Sequence, residues 1–133
     1  MAVDTAVTVQ TGAAGIPGKV VAYQRLIDFD TTELDVGDWF DLFQMPANAI
    51  VLGGGADLVL TGTATSTFDV GVEDGAQLLS ATSLSATTGT FTAFTHTACV
   101  AFDGTTIDLS INTANAVLGK VRVTAIVALC DAF

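Results

Sequence analysis

Thr97-Ala98-Cys99-Val100-Ala101-Phe102, then Asp103-Gly104, then Thr105-Thr106-Ile107-Asp108-Leu109-Ser110-Ile111 reads as two β-prone runs around a turn-forming pair. A two-residue type I′ turn needs positive φ at both central positions, and Asp-Gly supplies it more readily than other dipeptides. The expected register pairs Phe102 with Thr105, Val100 with Ile107 and Ala98 with Leu109. Ile107, Leu109 and Ile111 then form a dry face, while Thr106, Asp108 and Ser110 form a wet one. That register sets His96 opposite Ile111 and Cys99 opposite Asp108.

The same vocabulary of short β-prone runs and Gly or Asp turns extends in both directions. Lys19 to Phe29 carries Val20, Val21, Ala22, Tyr23, Leu26, Ile27 and Phe29, a strand expected to be covered on much of both faces. Trp39 to Met45 is a second strand, stopped by Pro46, which cannot donate a ladder hydrogen bond. Ile50-Val51-Leu52 is a short run that Gly53-Gly54-Gly55 is expected to break, with Asp57 to Thr61 resuming it. Phe68, Val70 and Val72 alternate with Asp69 and Gly71, and Thr90 to Phe94 is another short strand. Only Ala76 to Leu84 admits a helix, of two turns at most. From Lys120 to Cys130, Val121, Val123, Ala125, Val127 and Leu129 form one apolar face, too short to span a membrane and expected to be a central strand. Seven or eight such strands predict an all-β chain, an antiparallel β-sandwich of jelly-roll type over residues 19–133. Met1 to Gly18, small, Thr-rich and broken by Gly12, Gly15 and Pro17, is expected to be an extended N-terminal arm.

Composition bounds the chemistry. The chain has 133 residues, long enough for a sizeable core, with 14 acidic side chains against four basic ones and a net charge of −10. Such a balance repels phosphate, so nucleic acid is not an expected partner. The first eighteen residues lack the basic start and apolar run of an export signal, which predicts assembly in a cytoplasm. Cys99 and Cys130 have no Cys-x-x-Cys spacing and are expected to be free thiols.

Each candidate site fails on spacing. The carboxylates Asp28, Asp30, Glu33, Asp35, Asp38 and Asp41 suggest a calcium loop, yet Glu33 stands where that loop needs glycine, so no metal is expected. Gly53-Gly54-Gly55 lacks the Lys-Ser/Thr and the helix of a phosphate loop. His96 is the sole histidine, with no nucleophile elbow to serve. No catalytic residue and no cofactor are expected. Surface contact is the remaining option, with Trp39 and Phe40, adjacent large aromatics pointing to opposite faces, as candidates for one core anchor and one interface anchor. Cys99 joins them, because a cysteine on a polar face implies a cover. Ile16 and Pro17, near the end of the arm, are further interface candidates.

Gly37-Asp38-Trp39-Phe40-Asp41-Leu42-Phe43-Gln44-Met45-Pro46-Ala47-Asn48-Ala49-Ile50-Val51-Leu52-Gly53-Gly54 and Thr67-Phe68-Asp69-Val70-Gly71-Val72 resemble small β-rich virion proteins of tailed bacteriophages, the head decoration or cement proteins among them. The resemblance covers roughly Lys19 to Leu129. It implies a structural protein, often a trimer, that binds the major capsid protein on the outside of a capsid and bridges capsomers, without membrane contact. The alternative is a carbohydrate-binding or receptor-binding β-sandwich, or a head-tail or tail component. Sugar platforms need exposed aromatics, and most of these look like core residues.

Overall fold

The computed structural model describes residues 19–46, 49–72, 75–95, 100–101 and 105–129. The described segments form nine strands: β1 (Lys19–Asp28), β2 (Trp39–Gln44), β3 (Ala49–Leu60), β4 (Thr67–Val72), β5 (Leu79–Ser83), β6 (Phe91–Ala93), β7 (Val100–Ala101), β8 (Thr106–Asn112) and β9 (Lys120–Leu129). One sheet runs β1-β9-β3-β6, with β7 also paired to β3, and the other runs β2-β8-β4-β5. All the pairings are antiparallel.

This order pairs the chain from its two ends inward. β1 lies on β9, β2 on β8, β3 on β6 and β7, and β4 on β5, with only the last pair joined by a short connection. That is the jelly roll, a long antiparallel ribbon folded over so that alternate pairs enter opposite sheets. β6 and β7 share one edge of β3, so the nine strands occupy eight places.

The core lies between the sheets. On β9, between β1 and β3, Val121, Val123, Ala125 and Val127 are fully buried and Leu129 packs at the margin, as the alternation predicts. Facing them from the second sheet are Phe68, Val70, Ile107, Leu109 and Ile111.

Four expectations are corrected. Val100 pairs with Val51 rather than Ile107, because β8 has both edges occupied by β2 and β4. β7 and β8 therefore belong to different sheets, and the Asp103-Gly104 pair lies outside the described residues. The wet face of β8 is also dry: Asp108 is 2% and Ser110 6% exposed, since short side chains on a central strand are shaded by both neighbours. β1, expected to be covered twice, is an edge strand with most residues exposed. Gly53-Gly54-Gly55 does not break β3, which runs unbroken for twelve residues.

Ala76 to Leu84 contributes β5 and no helix, with Leu78, Leu79 and Leu84 buried. Here burial against β4 overrides a weak local preference.

Candidate interaction surfaces

The two sheets turn very different faces outward. Across the first, the register places Val20, Ala128 and Ile50 in one row and Ala22, Ile126 and Gly53 in the next. Then come Gln24, Thr124, Gly55 and Ala93, and after them Leu26, Arg122, Asp57 and Phe91. Val20, Leu26, Leu52, Leu60 and Phe91 are each 49–58% exposed.

The charges on this face cancel. Arg122 donates to Asp57, and Lys120 Nζ lies 3.9 Å from Asp28 Oδ2, two cations against two anions. Such exposed pairs add little stability, but they leave a sheet face with no net charge. On a chain of net charge −10 that neutrality is a local exception.

The glycine run shapes the same face. Val51 pairs with Val127 and Gly53 with Ile126, so Leu52 is the extra residue of a bulge. Gly54 has φ +129°, and a Cβ there would meet the Thr124 carbonyl. At Gly55 a Cβ would run into the Thr92 carbonyl and the Phe91 ring. Glycine lets the Phe91 ring approach the strand closely.

The second sheet presents acid at Asp41, which is exposed, and Asp69, which is half-buried, while Asp108 on the strand between them is buried. Trp39, Ser110 and Asp69 form one row, and Asp41, Asp108 and Gly71 the next. Asp69 is held in place: its Oδ1 accepts from the Ala81 N–H and its Oδ2 from Asn112 Nδ2, both at 2.7 Å. The acidic β1–β2 connection is likewise structural, Asp28 Oδ1 accepting from the Asp30 N–H at 3.0 Å and Asp38 Oδ2 from the Asp35 N–H at 3.1 Å. Among the described residues no three His, Cys, Asp or Glu side chains cluster as metal ligands.

Of the sequence candidates, the structure places two. Trp39 is 54% exposed on the acidic face. Phe40 turns inward against the core, under the Arg25 guanidinium, 4.7 Å from its ring centroid. Cys99, Ile16 and Pro17 lie outside the described residues, as do His96 and Cys130. Phe91 was missed by sequence reasoning, and so was the whole neutral face. Its rows combine residues 20–28, 49–60, 91–93 and 120–128, which no local pattern groups.

The two open edges of the sandwich also differ. Between β1 and β2, Arg25 Nη1 donates to the Leu42 carbonyl at 3.3 Å, and Tyr23 meets Phe43 edge to face at 5.7 Å. Side chains there bridge the gap between the two sheets, while among the described strands the main chain of β1 pairs only with β9. At the other, a cleft of about 190 Å³ opens among Ala56, Leu58, Phe68, Ala86, Thr90 and Thr92. It is below the usual size of a small-molecule site, and no acid or base lines it.

With the fold and both faces described, comparison with solved structures finds chains of phage capsids, three of them as follows. The fold is shared with them. A chain of the cyanophage Pam1 capsid asymmetric unit matches 98% of this chain over 100% of its own length, with 22% identity and a TM-score of 0.68. The capsid of Ralstonia phage GP4 contains a chain that matches 94% of this one over 93% of its length, at 18% identity and a TM-score of 0.67. The acid-stable capsid of Helicobacter pylori bacteriophage KHP30 gives 84% and 89% coverage at 17% identity, with a TM-score of 0.65. No protein-family model and no curated protein matches the chain. At these identities the likeness is one of fold.

Proposed function

We propose that this chain is a structural protein of a phage virion, a decoration or cement protein that binds the major capsid protein on the outer capsid surface as a trimer. The observation that carries this reading is the neutral, apolar outer face of the β1-β9-β3-β6 sheet, set on an acidic molecule. Several large apolar side chains exposed on one face are costly to leave in water and mark a place of contact. On a lattice, it docks against the shell while the acidic β2-β8-β4-β5 face stays in solvent and keeps particles apart. The protein acts by binding rather than by catalysis, bridging neighbouring capsomers. The arm, residues 1–18 with Ile16 and Pro17 at its base, takes part in the contact.

Sedimentation with empty capsids of the cognate major capsid protein tests this. Full-length protein is expected to co-sediment and to behave as a trimer in analytical ultracentrifugation. Leu26→Asp with Phe91→Asp, which puts two carboxylates on the apolar face, is expected to abolish co-sedimentation and leave the circular dichroism spectrum unchanged. A folded double variant that still binds assigns docking to another face, and a full-length monomer that ignores capsids overturns the reading. A glycan array tests the carbohydrate alternative, for which half-exposed Trp39, in one row with Ser110 and Asp69, offers an aromatic platform.

A further inference from the structure

We propose that the free edge of β1 is completed by a strand from the N-terminal segment of a second copy, residues Val3–Gln10. The inference deepens the oligomeric reading above and rests on it. β1 is the edge that invites such an addition. Its ten residues pair with β9 from Lys19↔Leu129 to Asp28↔Lys120 without a single register shift. The strand contains no proline. Alternate N–H and C=O groups along about 33 Å of chain therefore point away from β9 in a regular row.

Among the described residues the other edge strands, the two-residue β7 included, are short or irregular. β2 has six residues, a register shift at Asp41/Phe43 and Pro46 just beyond its end. β5 has five residues, a register shift against β4 and Ala81 at φ 50°. β6 has three. Proteins protect long flat edges by shortening, bulging or charging them; β1 is neither short nor bulged, and the one charge along its middle, Arg25, is engaged with Phe40 and the Leu42 carbonyl. Its outward residues there are Ala22, Gln24 and Leu26.

The sequence supplies a matching strand. Val3, Thr5, Val7 and Val9 alternate with Asp4, Ala6, Thr8 and Gln10, a period-2 run of β-favouring residues without glycine or proline. Eight extended residues span about 26 Å, most of β1. Placed beside β1, the valine parity continues the Val20, Ala22 and Leu26 rows and widens the neutral face. Strand addition draws affinity from main-chain hydrogen bonds and specificity from alternate side chains, which suits a segment with no large anchor. Residues 11–18 leave eight residues between this segment and β1, about 26 Å of extended chain, enough to reach a neighbouring copy.

Hydrogen exchange of the full chain, compared with a chain lacking Met1–Gln10, reads the pairing directly. Alternate β1 amides are expected to exchange at least about ten-fold more slowly in the full chain, with the protection falling on dilution as copies separate. Equal exchange in both chains overturns the proposal. Cysteine pairs separate the two possible donors: in a Cys99→Ser, Cys130→Ser background, Val7→Cys is combined in turn with Ala22→Cys and Gln24→Cys. Oxidised dimers or higher species on a non-reducing gel support exchange between copies. Disulfides formed only within one chain overturn it in favour of a hairpin closed by the same molecule. Neither readout involves a capsid, so failure here leaves shell binding standing, and a protein that cross-links yet ignores capsids fails only the virion reading.

Discussion

A side chain at Gly54 would have to sit at φ +129° and push its Cβ into the Thr124 carbonyl of the neighbouring strand. That conformation alone costs a non-glycine residue about 1–3 kcal/mol, and the clash lies against backbone, which cannot swing aside. Gly54→Ala is therefore expected to lower the urea midpoint sharply. By contrast, Gly53→Ala, whose added Cβ meets no atom within 4 Å, should leave it nearly unchanged. Equal midpoints would show that β3 relaxes around the substitution. Arg25 is a second residue whose role is local. Its guanidinium lies over Phe40 and reaches the Asp41 and Leu42 carbonyls, tying β1 to β2 across the sandwich edge. Arg25→Lys keeps the charge but loses the planar group that stacks and donates twice. A loss of about 0.5–1 kcal/mol in urea unfolding is expected, the range of an exposed cation–π contact.

Elements owe their positions to bulges as much as to alternation. In β2 the register steps from Asp41↔Asp108 to Phe43↔Ile107, so Leu42 is the extra residue and Leu42 and Phe43 are both buried despite being adjacent. A strict period-2 reading sends one of them to solvent. β9 has no such device and needs none, since β1 and β3 flank it and its inner face is apolar throughout. Val123→Ala should cost about 1–3 kcal/mol through lost burial and a residual cavity. An unchanged chemical-denaturation midpoint would place β9 outside the cooperative core.

The whole molecule has an apolar, neutral side and an acidic side, and salt distinguishes which of them docks. Raising ionic strength from 0.1 to 1 M shortens the screening length from about 10 to 3 Å, which weakens contacts between exposed charges and strengthens apolar burial with many salts. Capsid attachment through the β1-β9-β3-β6 face is expected to survive 1 M NaCl in co-sedimentation. Release at high salt would move the contact to Asp41, Asp69 and the acidic β1–β2 connection.

By itself, the sequence determined the class of fold, because alternation along β4, β8 and β9 and the proline after β2 are local consequences of which side chains pleat toward a core. It also determined that the molecule is acidic. It did not determine pairing. Asp103-Gly104 signals a hairpin to any reading of neighbours, yet β8 gains more by lying between β2 and β4, where Ile107, Leu109 and Ile111 are all buried. The glycines of β3 look like an interruption until Phe91 and Thr124 are seen beside them. The neutral face was illegible for the same reason: four separated segments build it, and only the end-to-end wrapping of a jelly roll sets Val20, Phe91 and Ile126 on one side of one sheet. Pairing between distant segments is decided by which edges remain free once the core has closed, and that is a property of the assembled sheets rather than of any stretch of chain.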